Sequence, residues 1–397
     1  MLTQIEIKNY RSCRHVVLKD LGPLTVLVGR NAAGKSNILR GIRALADAAS
    51  SQFGFPIHGD EQMSVSCQAL LNEGTYDYEF RAPKLVPRDS ELRHETRLSE
   101  SLRYRRGYGG TSPVFERLGE EVRISNGNGQ TLMNIGGSTP CMAALLALLP
   151  DDSETARVIR PFVRFLEGIR YYDLARAGRV DKQRLIRQAE YDEWLARHPR
   201  RLGTSPLMRL LHMALANEAQ LSEVRSLLGT NGLGLLDEIV CYANPFTKRP
   251  RTVEGRDQWY RVAFAPTSPG QSRDDLLFFD YSDLATGTQR LIRIVVSLIH
   301  DQSAVMLLEH PEDGIHRGLL RKLIDLLQKY SDQSQLIIAS HSTVVFNSID
   351  PRAIRLVTMA EGGTSVRSLT DKELRAAKTF LEDEGTLSDF IESVEEG

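Results

Sequence analysis

Apolar and polar residues follow three patterns along this chain: alternation, helical spacing and unbroken apolar runs. Leu2 to Ile7 alternates, the short run Val16-Val17-Leu18 follows, and both predict strands. Leu24 to Val28 is continuously apolar and predicts a strand buried on both faces, and apolar positions 38, 39, 42 and 45 then predict a helix over 37–50. Residues 63–82 predict a hairpin, with Ser64 to Leu71 and Tyr76 to Arg81 flanking the turn Asn72-Glu73-Gly74-Thr75. A polar, arginine-rich segment runs from Arg88 to Gly110, and further strand-like stretches lead to the loop Asn126-Gly127-Asn128-Gly129. Residues 140–230 have mainly helical spacing. Residues 275–350 alternate strongly apolar strands with helices, the pattern of a parallel sheet.

Composition narrows the class. The 397 residues, 41% hydrophobic and 25% charged, suffice for one elaborated globular domain or two ordinary ones. A net charge of -1 provides no global basic field, so any nucleic-acid contact needs a local patch. Cys13, Cys67, Cys141 and Cys241 are far apart with no C-x-x-C pair, as expected of structural cysteines in a reducing compartment. The apolar run Met142 to Leu149 stops at Pro150, short of the ~20 residues that span a bilayer. The start of the chain has no signal-peptide pattern, so a cytoplasmic location without a membrane partner is expected.

Candidate chemistry begins with Gly29-Arg30-Asn31-Ala32-Ala33-Gly34-Lys35-Ser36, which fits the phosphate-binding pattern G-x-x-x-x-G-K-[ST] between a strand and a helix. Glycines let the backbone wrap phosphates, while loop N–H groups and the helix N-terminus, including Asn37, supply positive potential. Lys35 is placed to reach the β- and γ-phosphates and Ser36 to ligate Mg²⁺. The predicted ligand is ATP with Mg²⁺.

Three later motifs complete a pattern. Tyr281-Ser282-Asp283-Leu284-Ala285-Thr286-Gly287-Thr288-Gln289-Arg290 precedes a helix from Leu291 to His300. An apolar strand from Ala304 to Leu308 ends in Glu309-His310-Pro311-Glu312-Asp313-Gly314-Ile315-His316. Another, Gln335 to Ala339, ends in Ser340-His341-Ser342. Glu309 lies 22 residues after Gly287, and His341 lies 32 after Glu309. The succession resembles the ABC-type ATPases, with signature motif, Walker B strand and switch histidine. It resembles more closely the RecF/SMC-like and OLD-like bacterial ATPases, members of the wider AAA group, whose start reads like Ile5-x-Ile7-x-Asn9-Tyr10-Arg11-Ser12.

The resemblance implies an α/β fold, a P-loop NTPase head of ABC type with a mixed or parallel sheet and inserted antiparallel β and helical lobes. Residues 1–85 and 275–370 would form the head, 86–274 the insertion and 371–397 an acidic tail. Glu309 would hold the Mg²⁺ hydration shell opposite Ser36, since Mg²⁺ prefers oxygen ligands and retained waters. His341 would bond the γ-phosphate or the attacking water. Thr286, Gly287 and Thr288 would cap the nucleotide of a partner subunit, implying a head-to-tail homodimer.

The chain also departs from that family. His310 stands where the family has its catalytic glutamate, and Ala285 where it has the signature serine. Histidine can act as a base near neutral pH, Thr286 or Thr288 can replace the missing hydroxyl, and Glu312 or Asp313 can supply an acid. Slow hydrolysis is the expectation, with a catalytically inactive nucleotide sensor as the alternative. The magnesium-sensing glutamine stays open among Gln52, Gln62 and Gln68.

The stretch between Ser36 and Leu284 is too long for a transporter ATPase and lacks the sustained heptads of a long coiled coil. Only 47 residues follow Asp350, too few for the TOPRIM nuclease domain of OLD-type proteins, so a nuclease or other effector would be a separate partner. DNA is the other candidate partner, in repair or in phage defence. Arg88, Arg93, Arg97, Arg103, Arg105 and Arg106 alternate with Tyr104 and Tyr108. Arg176, Arg179, Lys182, Arg184 and Arg187 form a second cluster, with Trp194, Arg197, Arg200 and Arg201 beyond it. Glu91, Glu95, Glu100, Asp181 and Glu190 dilute both clusters, so a salt-bridged surface fits as well as a DNA groove.

Overall fold

The computed structural model describes residues 1–49, 62–82, 98–107, 109–126, 129–136, 140–174, 185–196, 205–243, 258–267 and 276–375. It divides into two compact units: Met1–Tyr172 with Ser303–His310 and Tyr330–Gly397, and Asp173–Gln302 with Pro311–Lys329.

The first unit begins with β1 (Leu2–Tyr10), β2 (Cys13–Leu18), β3 (Leu24–Val28) and α1 (Lys35–Ala49). Next come β4 (Ser64–Leu71), β5 (Gly74–Arg81), β6 (Ser99–Arg105), β7 (Ser112–Leu118), β8 (Glu121–Asn126) and β9 (Gly129–Asn134). Helices α2 (Cys141–Leu148) and α3 (Glu154–Glu167) lead to β10 (Ile169–Asp173). In the second unit lie β11 (Ile186–Arg187), α4 (Gln188–Ala196), α5 (Pro206–Ala216), α6 (Glu218–Leu228), β12 (Leu236–Ala243), β13 (Trp259–Pro266) and α7 (Thr286–Asp301). The chain returns to the first unit with β14 (Val305–Glu309), supplies α8 (Arg317–Tyr330) to the second, and finishes with β15 (Gln335–Ser340), α9 (Thr343–Asn347), β16 (Ile354–Ala360) and β17 (Gly363–Ser368).

Two sheets build the first unit. One has the order β2-β1-β4-β5-β6-β7-β8-β9 and the other β10-β14-β15-β3-β16-β17. In the former, alternation decides the faces: Val65, Cys67 and Ala69 of β4 and Tyr76, Tyr78 and Phe80 of β5 all point into the core. Phe162 of α3 stacks on Tyr76 at 5.0 Å between centroids and meets Tyr78 edge-on at 5.7 Å. In the latter, β14, β15 and β3 pair in parallel, and their near-continuous burial is what a sheet covered on both faces demands. Helix α1 buries Ile38, Leu39, Ile42 and Leu45 and touches strands of both sheets.

Two stretches differ from the sequence expectation. Part of the arginine-rich segment is strand β6, because Glu100 and Leu102 alternate inward while Arg103 and Arg105 stay outward. The helical region 140–230 is interrupted by β10, whose Ile169-Arg170-Tyr171-Tyr172 run suits a strand; it takes the sheet edge beside β14, where the Gly168 carbonyl accepts from Ala304 N at 3.0 Å. The acidic tail beyond residue 375 lies outside the described residues, as do Tyr108, residues 83–97, 175–184 and 197–204 with their arginines, and Gln52. Among the described residues no helix is long and apolar enough to cross a membrane.

The second unit packs α5, α6 and α7 together beside the sheet β11-β13-β12. Arg209 of α5 donates to Asp301 Oδ2 at 2.7 Å and Ser297 Oγ at 3.2 Å on α7. Trp194 lies 5.5 Å from His212 and 6.0 Å from His300 between ring centroids, so it belongs to the packing of this unit.

Glu100 and Arg117 form a pair in the first unit with both side chains fully buried, Arg117 Nη1 lying 3.3 Å from Oε1. Glu100 also accepts from Cys141 N at 2.9 Å and Tyr78 OH at 3.1 Å, and Arg117 reaches the carbonyls of Gly119 and Gly136. Burial nevertheless pushes the Glu100 carboxyl above the usual range, against these contacts. Arg117→Met would strand that group and is expected to cost about 3–5 kcal/mol. Adding Glu100→Gln should recover about half of this loss, read from urea unfolding midpoints of the three proteins.

Candidate nucleotide-binding site

The glycine-rich loop joins the end of β3 to the start of α1, so the loop wraps the N-terminus of a helix of 15 residues. The first N–H groups of such a helix have no partner within it and present positive potential to an anion. Arg30, Asn31 and Ala32 are exposed, while Ser36 and Asn37 are half-buried in the first turn. Lys35 is buried and arches over the loop, donating from Nζ to Gly29 O at 2.7 Å and Arg30 O at 2.9 Å.

Neighbouring strands constrain the loop glycines. A Cβ at Gly29 would lie 2.0 Å from Val357 O of β16. At Gly34, with φ +102°, it would lie 1.9 Å from Thr364 Oγ1 and 2.9 Å from Ser12 Oγ. A relay of hydrogen bonds holds this side of the loop. Asn37 Nδ2 donates to Ser12 Oγ at 2.8 Å, the Ser12 and Thr364 hydroxyls lie 2.7 Å apart, and Thr364 Oγ1 donates to Ala33 O at 3.1 Å. Thr364 had no sequence signal: it is 352 residues from Ser12 and arrives only through β17. Ser12 stands in the N-terminal Asn-Tyr-Arg-Ser pattern, which gave no hint of this structural role.

Glu309 ends β14 and is buried. Tyr171 OH of β10 donates to its Oε2, and Arg40 Nη2 of α1 lies 3.6 Å from the same oxygen. The guanidinium groups of Arg40 and Arg43 lie over the Tyr171 ring at 6.0 and 5.9 Å. Sequence reasoning singled out Glu309 but not its neighbours Tyr171 and Arg40, neither of which belongs to a motif.

His310 follows β14 and His341 follows β15. The strand register pairs Glu309 with Ala339, and His310 N donates to Ala339 O at 3.0 Å. The two imidazoles meet edge-on, with their planes at 62°, Nδ1 atoms 3.3 Å apart and ring centroids at 5.2 Å.

The signature segment lies in the second unit. Ala285 occupies the N-cap of α7 with no side-chain cap bond, so Thr286, Gly287 and Thr288 form an uncapped first turn. A Cβ at Gly287 would lie 2.4 Å from Gly314 O, and Arg290 pairs with Asp313 at 3.6 Å. Of the other acid candidates, Glu312 is buried and its carbonyl accepts from Ile315 N. Among the glutamines, Gln68 donates to Asp77 at 2.9 Å on the open face of β4, and the Gln62 carbonyl accepts from Asn9 Nδ2 at 3.1 Å.

A family model described as "AAA ATPase domain" matches residues 1–97, and one described as "AAA domain, putative AbiEii toxin, Type IV TA system" matches residues 165–347. No curated protein matches the chain. Among solved structures, an Smc head bound to the C-winged helix domain of ScpA matches with TM-score 0.53 and 15% identity, covering 94% of this chain and 99% of its own. The fold is similar to that of an SMC head. The SMC head domain from Thermotoga maritima matches with TM-score 0.45 and 16% identity, over 93% and 99% of the two chains. An Smc head with an extended coiled coil, bound to the C-terminal domain of ScpA derived from Pyrococcus furiosus, matches with TM-score 0.43 and 15% identity, over 96% and 98%.

Burial pushes Cys13 up to about 11 and Cys241 to about 12, and raises Cys67 and Cys141 further, which keeps them as inert thiols. Thr364→Val keeps the shape of β17 but cuts the relay between Ser12 and Ala33. It is expected to cost about 1–2 kcal/mol in thermal unfolding and to weaken binding of a fluorescent ATP analogue.

Proposed function

We propose that this chain is a RecF/OLD-like ABC-type ATPase that binds Mg-ATP, dimerises head to tail and hydrolyses slowly, so that nucleotide state gates a DNA or effector-protein partner. One observation carries the reading. The glycine-rich loop, Glu309 and His341 leave the same C-terminal edge of the adjacent parallel strands β3, β14 and β15, where ligands bind in open α/β sheets. Residues 1–85 and 275–370 then serve as the two halves of the head, with 86–274 as insertion and 371–397 as tail.

The residues present fit the cofactor. The loop supplies N–H groups and a buried lysine, and both contacts to Glu309 fall on Oε2, which leaves Oε1 to accept from a metal-bound water. Mg-ATP would contribute the phosphoanhydride and the ion that neutralises its charge. Lys35 exchanges its two loop carbonyls for phosphate oxygens, and Ser36 offers its hydroxyl to the ion. His310 takes the position of the water-activating group, and His341 bonds the γ-phosphate. Thr286, Gly287 and Thr288, on the uncapped end of α7, face the nucleotide of a second copy. A protein partner at the head is the analogous expectation from the Smc head, which was solved with ScpA. For DNA the support is thinner: Arg103 lies 3.9 Å from Glu116 and lines a polar groove with Glu6, Asp77 and Glu79.

A nucleotide sensor without turnover is favoured by His310 and Ala285 together. Steady-state Mg-ATP hydrolysis separates the two. Measurable phosphate release by the wild type, lost in Lys35→Ala, supports the ATPase. His310→Glu should then raise kcat by about tenfold or more, because it restores a carboxylate beside the attacking water. ATP binding without turnover in the wild type and in His310→Glu would leave the sensor.

A further inference from the structure

The pairing of His310 with His341 offers chemistry that a phosphate site does not need. Both imidazoles stand at strand ends held by the β14–β15 ladder, so their separation is set by backbone rather than by loop drift. His310 has φ +49°, a left-handed conformation that is unfavourable for a non-glycine residue. That backbone turn aims its Nδ1 at the same nitrogen of His341 across 3.3 Å.

The distance is informative. The two Nδ1 atoms are within hydrogen-bond reach, the tautomers deciding which ring donates, and the same separation also suits a shared ion. Two nitrogens bound to one tetrahedral ion at about 2.0–2.1 Å lie about 3.3–3.4 Å apart, since that is the edge of the tetrahedron. The rings therefore already have the bite of a bidentate nitrogen chelator. Imidazole nitrogen selects borderline-soft ions over Mg²⁺, whose site calls for oxygen ligands.

We propose that His310 and His341 supply two imidazole ligands to a divalent transition ion of the Zn²⁺, Co²⁺ or Ni²⁺ class. The site is separate in ligand chemistry from the oxygen site of Ser36 and Glu309, and its binding step needs no nucleotide. Its consequence for turnover does rest on the ATPase reading: an ion on both Nδ1 atoms takes their lone pairs from proton transfer. Zinc at low concentration would then inhibit hydrolysis even in excess Mg²⁺.

The test is a titration of tag-free, nucleotide-free protein with CoCl₂, read by the visible d–d absorption of bound Co²⁺ and by calorimetry. One ion per chain is expected, unaffected by Lys35→Ala or by excess Mg²⁺. His310→Ala and His341→Ala should each weaken binding by roughly tenfold or more, because each removes one of the two imidazole ligands. Thermal melts of both variants check that they fold, and His341 is exposed at its strand end. No Co²⁺ signal in the wild type, or a signal unchanged in both folded histidine variants, overturns the site. Because the readout contains no ATP, absence of hydrolysis would sink the ATPase reading and leave this result standing.

Discussion

Strand β15 fixes the candidate site because it has neighbours on both sides in one register. Ala339 pairs with Glu309 of β14 and with Leu27 of β3, so the carboxylate, the phosphate loop and His341 emerge at matching heights. A slip of one residue would reverse every side chain of β15 between the two faces of the sheet. The opposite end of the strand is pinned by a buried polar clasp. Gln335 Oε1 accepts from Leu2 N at 2.8 Å, while its Nε2 donates to Leu2 O at 2.8 Å and Gly22 O at 2.9 Å. The two bonds to Leu2 are buried, where leaving either unmade is costly. Register thus comes from a glutamine 333 residues from its partner, and the apolar strands supply the adhesion.

This explains which parts of the molecule could be read from sequence. The stretch from Leu24 to Leu45 was legible because strand, loop and helix are contiguous and each has a local period. Strands β14 and β15 were legible because burial on both faces leaves an unbroken apolar run. Strand β10 was not, since five residues between helices carry too short a pattern to outweigh their surroundings. The contacts around the motif residues were beyond reach for a different reason. Tyr171 meets Glu309 across 138 positions and Thr364 meets Ser12 across 352, and no local period encodes such pairs. The loop glycines were read from the sequence as letting the backbone wrap phosphates. What approaches them in the structure is the backbone of β16 and a side chain of β17, which the motif does not mention.

Those long-range contacts couple the edge strands to the centre of the site. Arg40 sits on the helix that begins with Lys35, and its guanidinium faces the carboxylate of Glu309. Tyr171 joins the same oxygen from the sheet edge. A hydrogen bond to an ionised carboxylate is stronger than a neutral one and fixes its rotamer. Tyr171 and Arg40 both approach Oε2 of Glu309, so this oxygen is held by the protein itself. The arrangement orients the group while limiting the negative charge it can direct at an ion.

His310 changes the balance of the site in the same direction. A glutamate there would bring a second negative charge beside Glu309, to be offset by Mg²⁺ and Lys35. An imidazole brings a lone pair without that charge, so it can accept a proton but cannot polarise water by Coulomb attraction alone. Its lone pair is also shared in geometry with His341, one strand away. The pair can hold one proton between two nitrogens or one ion between them, and each use excludes the other. In the proposed ATPase, whichever occupant holds the two rings would decide whether His310 is available to water, because the strand register fixes the rings at this separation.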